Sequence, residues 1–289
     1  MKVYLAGYEI HSHSYKVDLP LEANVFCTYY YKTQTEKTLI KLKDKKHKGL
    51  ITIDSGAHSF FEIMGISVTS KKSNERRKDL PNPHEYFENY LEWVKKWYNH
   101  FSYFVELDLQ ALVGQSVVNL WRDRMKKEGV FDKCITVYHY YNSWDDFINL
   151  LDTSLSKYIA IEGIRKELEI LDYTKYIKIC YERKIKIHGF ALTQPKLLNK
   201  CPFYSVDSSS WTTGTRYGVL HVWDDKSCSM KSVRCNDKSF LKYNVPLNLH
   251  SSERSNVASK GKSEFSALAF FKMEKYFTDL WKERGVLWE

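Results

Sequence analysis

The chain has 289 residues, 43% of them hydrophobic and 15% aromatic, enough for a large core and too apolar for a disordered chain. Its formal net charge of +9 favours polyanionic partners, nucleic acid among them, although a basic surface is equally compatible with an ordinary soluble enzyme. No apolar run approaches the ~18–20 residues of a membrane span, residues 1–8 are too short for a signal-peptide core, and the six scattered cysteines suit reduced thiols, so a cytoplasmic protein is expected.

In chain order, short apolar or β-branched runs predict strands at Val3–Gly7, Leu50–Asp54, Tyr103–Asp108, Cys134–His139, Tyr158–Glu162, Lys186–Ala191, Phe203–Asp207 and Gly218–Trp223. Residues 9–47 show no clean helix and lead into a basic run from Lys41 to Lys48. Helical periodicity follows at His84–Tyr98, Ser116–Lys127, Trp144–Leu151, Glu167–Arg183 and Lys196–Lys200. Eight strands alternating with helices predict an α/β fold, a (β/α)8 barrel. No Gly-x-Gly-x-x-Gly follows the first strand, which weighs against a dinucleotide fold. Residues 224–262 form a polar, lysine-rich extension, and a closing amphipathic helix is expected over 263–287, packed on the barrel core of 1–223. No linker or internal repeat divides the chain, so residues 1–289 are expected to form a single domain.

Acidic residues end four of the predicted strands: Asp54, Asp108, Glu162 and Asp207. In a barrel those ends form the active-site face. Each acid alone could equally cap a helix. Together they suit a divalent metal, two-carboxylate chemistry at a sugar carbon, or recognition of donors on a base. His11-Ser-His13 has the spacing of a metal pair, but follows the first strand instead of lying on it.

Asp54-Ser55-Gly56-Ala-His-Ser resembles the Asp-Ser-Gly-Gly-Phe/Tyr-Gln motif of the tRNA-guanine transglycosylase superfamily. Val206-Asp207-Ser-Ser-Ser-Trp211 with Gly214-Thr-Arg216-Tyr-Gly218 resembles its later Phe-Asp-Cys…Thr-Arg-x-Gly-Arg region. Glu106-Leu-Asp108 stands in the place of the base-recognition aspartate. Ile161-Glu162-Gly163-Ile164 resembles the Gly-Gly loop that contacts the base, and His188-Gly189-Phe190-Ala191 the Met-Gly-Val-Gly stretch. These motifs span residues 1–220 in order. The run Phe203–Trp211 is most similar to the short, DpdA-like branch of phages and bacterial modification clusters, which inserts 7-deazaguanine bases into DNA.

The resemblance implies a pentosyltransferase that replaces guanine in DNA with a preQ0-like base through a covalent aspartyl-sugar intermediate. Asp207 would be the nucleophile and Asp54 the acid/base. Asp108, His139, Glu162, Gly163, His188, Gly189, Ser55, Gly56, Trp211 and Arg216 would bind the substrate, and the partners would be DNA and a free 7-deazaguanine or guanine base. Two departures stand out: Glu162 replaces a glycine, and His139 falls where a glutamine is usual. No cofactor is expected. The family's zinc motif is not intact, leaving Cys228, Cys235, His250 and His221 as weak candidates for a structural zinc. Phe60, Phe61 and Trp211 are candidates for stacking on the base. The lysines of 41–48 and 226–262 are candidates for holding phosphates, a solvated charged face being the alternative. The same chemistry on tRNA, a nucleic-acid-binding barrel without catalysis, and a metal-dependent hydrolase using His11 and His13 remain open at this point.

Overall fold

The computed structural model describes residues 1–63, 82–162, 170–235, 237–249 and 256–288. Eight short strands close into a parallel barrel: β1 (Lys2–Ala6), β2 (Val25–Thr28), β3 (Ile51–Asp54), β4 (Tyr103–Val105), β5 (Cys134–Tyr138), β6 (Tyr158–Ile161), β7 (Lys186–Gly189) and β8 (Ser205–Ser208). Each pairs with the next, and β8 returns to β1 with Tyr4 opposite Asp207. A second, two-stranded antiparallel sheet follows, β9 (Val219–Asp224) with β10 (Ser229–Arg234).

The helices in chain order are α1 (Tyr8–Ser14), α2 (Lys32–Asp44), α3 (Ala57–Ile63), α4 (Pro83–Trp97), α5 (Gln110–Val113), α6 (Gln115–Lys127), α7 (Trp144–Thr153), α8 (Ile170–Glu182), α9 (Pro195–Leu198), α10 (Thr213–Tyr217), α11 (Ser239–Lys242) and α12 (Asn256–Glu283). Local chemistry sets their starts. Asn82 accepts a hydrogen bond from the His84 amide ahead of α4, with Pro83 in the first turn, and Ser143 forms a reciprocal capping box with Asp146 at α7. The apolar stripe of α4 (Phe87, Tyr90, Leu91, Val94) is buried, and Phe87 stacks on Trp121 of α6 at 4.9 Å.

Strands covered on both faces need apolar residues at successive positions, and β5 and β6 (Cys134–Tyr138, Tyr158–Ile161) are buried throughout. One face packs against the helices; the other fills the barrel with Tyr4, Phe26, Val105, Ile135, Val137, Tyr158 and Ala160.

The barrel has the expected strand number but not the expected strands. Val25–Thr28, inside residues 9–47 where no strand was predicted, is the second barrel strand. Gly218–Trp223, predicted as the eighth, lies outside the barrel. Leu220 and Trp223 are buried between more exposed neighbours, unlike the fully buried β5 and β6. Residues 9–47 also hold α1 and α2. The extension contributes β10 and, with Leu220 of β9, a small core of Val233, Cys235, Phe240, Val245 and Leu249. The closing helix begins at Asn256, earlier than predicted, and docks on the start of the barrel. Its Glu274 accepts hydrogen bonds from the Val3 amide at 2.7 Å and from Asn24 Nδ2 at 3.2 Å, and Trp281 donates to the Leu198 carbonyl.

The basic run Lys41–Lys48 closes α2 and leads into β3. Barrel helices run back from the strand C-termini, so this run lies at the end where the strands begin. There the Lys48 and Gly49 amides bond the Leu21 carbonyl, Lys41 Nζ donates to Ser12 Oγ, and Lys45 pairs with Asp18 at 2.6 Å. The run is therefore remote from the active-site face and partly committed to internal contacts. No helix among the described residues is long and apolar enough to cross a membrane.

Candidate active site

At the C-terminal ends of the strands lies a cavity of about 370 Å³. Gly7 and Ala6 follow or end β1; Phe26, Cys27 and Thr28 come from β2; Asp54 ends β3, Ser55 follows it, and Ala57 and His58 open α3. Val105 and Asp108 come from β4 and its extension, Phe190 and Ala191 follow β7, and Asp207 comes from β8. Three of the four predicted strand-end acids thus share one cavity.

Asp54 ends β3. Its Oδ2 accepts the Gly56 amide at 3.0 Å. Gly56 has φ +82°, and a Cβ there would fall 2.7 Å from Tyr86 Oη, so the turn presenting Asp54 requires glycine. Burial pushes the Asp54 carboxyl up to about 6, helped by the nearby Asp207 and Asp108 carboxylates and opposed by the Gly56 amide and the Thr28 hydroxyl. Ser55 is fully buried behind it, its hydroxyl unpartnered among the described residues.

Asp207 is held differently. Its Oδ1 accepts the Ala191 amide at 2.8 Å and lies 3.2 Å from His188 Nε2. Among the described residues both contacts fall on Oδ1. His188 is buried, and Gly189 beside it leaves no room for a Cβ, which would lie 2.9 Å from Leu192 and 3.0 Å from Phe203.

Asp108 and Glu162 flank His139. Nε2 of the ring is 2.6 Å from Asp108 Oδ1, and Nδ1 is 3.3 Å from Glu162 Oε1, a close ion-pair contact without hydrogen-bond alignment. Burial pulls the imidazole down, but the two carboxylates together outweigh it and lift His139 to about 10. The ring is therefore an imidazolium at neutral pH, held between the two acidic side chains. Tyr141 stacks on the ring at 4.9 Å. The clamp beneath it was not anticipated from sequence. Glu106 accepts Arg122 Nε and Nη2, both at 2.6 Å, and the Val137 amide at 2.6 Å, joining the ends of β4 and β5.

Other predicted site residues lie elsewhere. Trp211 is fully buried, its Nε1 donating to the Ala6 carbonyl and its ring 5.1 Å from His11; it is core, not a stacking surface. Phe60 is likewise buried against Tyr86. Arg216 is exposed on α10 and outside the cavity lining, its charge acting on His11. Gly163 and His250 lie outside the described residues. Cys228 and Cys235 stand at opposite ends of β10, roughly 20 Å apart at strand rise, so these two cannot share a zinc ion. His221 contacts Thr213 and Ser232 instead. His11 and His13 sit on α1, not on a strand; His11 is buried and His13 exposed, so the pair does not converge on a metal. Among the described residues no cluster of three or more His, Cys, Asp or Glu side chains is arranged for one.

A residue missed in the sequence is Glu9. It is fully buried beside the Cys27 thiol, with neither oxygen hydrogen-bonded among the described residues. Burial pushes it up to about 8, with Asp54 adding to the rise. The only hint was an acid two residues past the first strand, inside an apolar run. Because its folded pKa lies above the ordinary 4.5, its stabilising protonation is complete below that value and is lost as pH rises through about 8. Glu9→Gln should therefore match the parent at pH 4.5 and exceed it at pH 8.5 by on the order of a few kcal/mol. Thermal unfolding at the two pH values tests this, and parallel losses in both proteins would contradict it.

The chain matches no protein-family model, and no curated protein matches its sequence.

Proposed function

We propose that this chain is a base-exchange transglycosylase that replaces guanine in DNA with a 7-deazaguanine base of the preQ0 type. The observation that carries the reading is the shared cavity of Asp54, Asp207 and Asp108 at the barrel's C-terminal face. Its volume is within the range of small-molecule sites.

In this mechanism a carboxylate oxygen of Asp207 attacks C1′ of the target nucleoside. The glycosidic bond breaks, and its electron pair leaves with the base. Asp54 gives the departing base a proton and later takes one from the incoming base, whose nitrogen displaces Asp207 from C1′. A carboxyl group titrating near 6 is suited to both directions. Asp108 offers acceptor-only oxygens to the N–H groups of a purine edge. Phe26 and Phe190, rather than Trp211 or Phe60, supply apolar cavity walls. The target nucleotide has to leave the base stack to reach this depth. The net charge of +9 supports a polyanionic partner, but the Lys41–Lys48 run does not contribute at the cavity mouth.

The test is incubation of the purified chain with DNA or tRNA and labelled guanine or preQ0. Label entering DNA is the expected result. Label entering tRNA alone would transfer the chemistry to that polymer, and label in neither would overturn the proposal.

A further inference from the structure

The barrel interior beneath Asp207 is unexpectedly polar. His188 Nδ1 lies 2.7 Å from Ser205 Oγ, and Ser205 Oγ lies 2.5 Å from Tyr158 Oη. All three residues are buried, His188 at 1% exposure and the other two at 0%. With the His188–Asp207 contact they form a continuous line from β6 through β8 and β7 to the cavity floor.

With Asp207 ionised and the His188 ring neutral, hydrogen-bond inventory gives the line one direction. An ionised Asp207 can only accept, so His188 Nε2 must carry a proton. A neutral ring then accepts at Nδ1, which takes the single Ser205 proton, and Ser205 in turn accepts from Tyr158. Every donor points toward Asp207. The reverse order would put a proton on Oδ1, the oxygen that already accepts the Ala191 amide, and a hydroxyl oxygen is a poorer acceptor than a carboxylate oxygen. The line directed toward Asp207 is therefore the arrangement that suits the Ala191 contact. It also engages Oδ1 from two sides, leaving Oδ2 as the oxygen to meet a substrate.

We propose that His188 is a positioning residue, which with Ser205 and Tyr158 behind it holds the Asp207 side chain by Oδ1 and turns Oδ2 toward the reacting carbon. This rests on Asp207 being the nucleophile. The titratable groups sharing the cavity with Asp207 or packed beneath it among the described residues are Tyr4 from β1, Cys27 from β2, Asp54 from β3, His58 of α3, Asp108 beyond β4 and His188 from β7, with Glu9 of α1 acting on Asp54.

Two measurements test the relay. The first needs no activity: ¹⁵N NMR of the histidine rings in the parent protein, with the His188 signals assigned by their loss in His188→Gln. A neutral ring protonated at Nε2 at pH 8 is expected; protonation at Nδ1, or at both nitrogens, would overturn the proposal. The second is single-turnover base exchange across pH. His188→Leu should lower the rate about 10- to 100-fold, on the scale of a lost positioning or proton-relay contact, and move the acid limb to higher pH with KM for the free base unchanged. His188→Gln, which keeps an N–H donor toward Asp207, should recover much of the loss. An unchanged acid limb in a folded His188→Leu would overturn the relay while leaving the transglycosylase reading intact. Absence of exchange in the parent on every polymer would overturn that reading, and the ring measurement would then decide the relay alone.

Discussion

Asp207→Asn should abolish base exchange, by roughly 10⁴–10⁶-fold, a loss of the size seen when an enzyme loses its nucleophile. The substitution is nearly isosteric. The Asn carbonyl can still accept the Ala191 amide now bound by Oδ1 at 2.8 Å, so the loop after β7 stays in place. What disappears is the anionic oxygen able to bond C1′. Nucleic-acid affinity, resting chiefly on backbone charge, should change by no more than a few-fold. Exchange of labelled base and a gel shift, run on the same preparations, separate the two effects. A covalent protein–nucleic acid species trapped with the parent should be missing from the variant. Full exchange by Asp207→Asn would move the nucleophile elsewhere, with Asp54 the first alternative.

The second large effect is on stability. Arg122→Leu should cost about 3–5 kcal/mol, because it strands the Glu106 carboxylate at 2% exposure. Replacing both partners by leucine should recover part of that loss, since neither charge then remains buried. Recovery should fall short by about 1–3 kcal/mol, because Glu106 also accepts the Val137 amide and the double variant leaves that donor unpaired. Denaturant unfolding of the parent, the single variant and the double variant gives the three values. A double variant less stable than the single would refute the argument. The clamp also bears on the site. Glu106 is two residues before Asp108, and Val137 is two before His139, so loosening it should weaken base binding in whatever activity remains.

Much of this arrangement was legible in the sequence, for identifiable reasons. Asp54, Asp108 and Asp207 end apolar runs, and a parallel barrel necessarily gathers strand C-termini on one face. His139 and Glu162 were each visible as departures from a motif, but nothing in their spacing told that Glu162 and Asp108 flank the His139 ring. That juxtaposition depends on the order of β4, β5 and β6 around the barrel. β2 was missed because Val25–Thr28 is only four residues and runs directly into Tyr29–Tyr31, while α2 is rich in Lys and Thr and weakly amphipathic. β9 was placed in the barrel because its apolar content was weighed, and apolar content alone does not tell which sheet a strand joins. Trp211 sat beside a motif and was read as part of it, whereas its hydrogen bond to Ala6 is a contact across 205 positions that no local pattern encodes.

The bond from Val3 to Glu274 has a consequence for the order of events during synthesis. It joins residues 271 positions apart, and the sheet itself closes only when β8 meets β1. At ~5–20 residues per second on the ribosome, β1 waits on the order of ten seconds or more for β8, and longer still for α12. Through that interval the edge of the first strand is unpaired, in a chain whose interior is built of tyrosine, phenylalanine and valine. Protection of this edge in the nascent chain, by chaperone or by transient local structure, is thus part of what the fold demands of the cell that makes it.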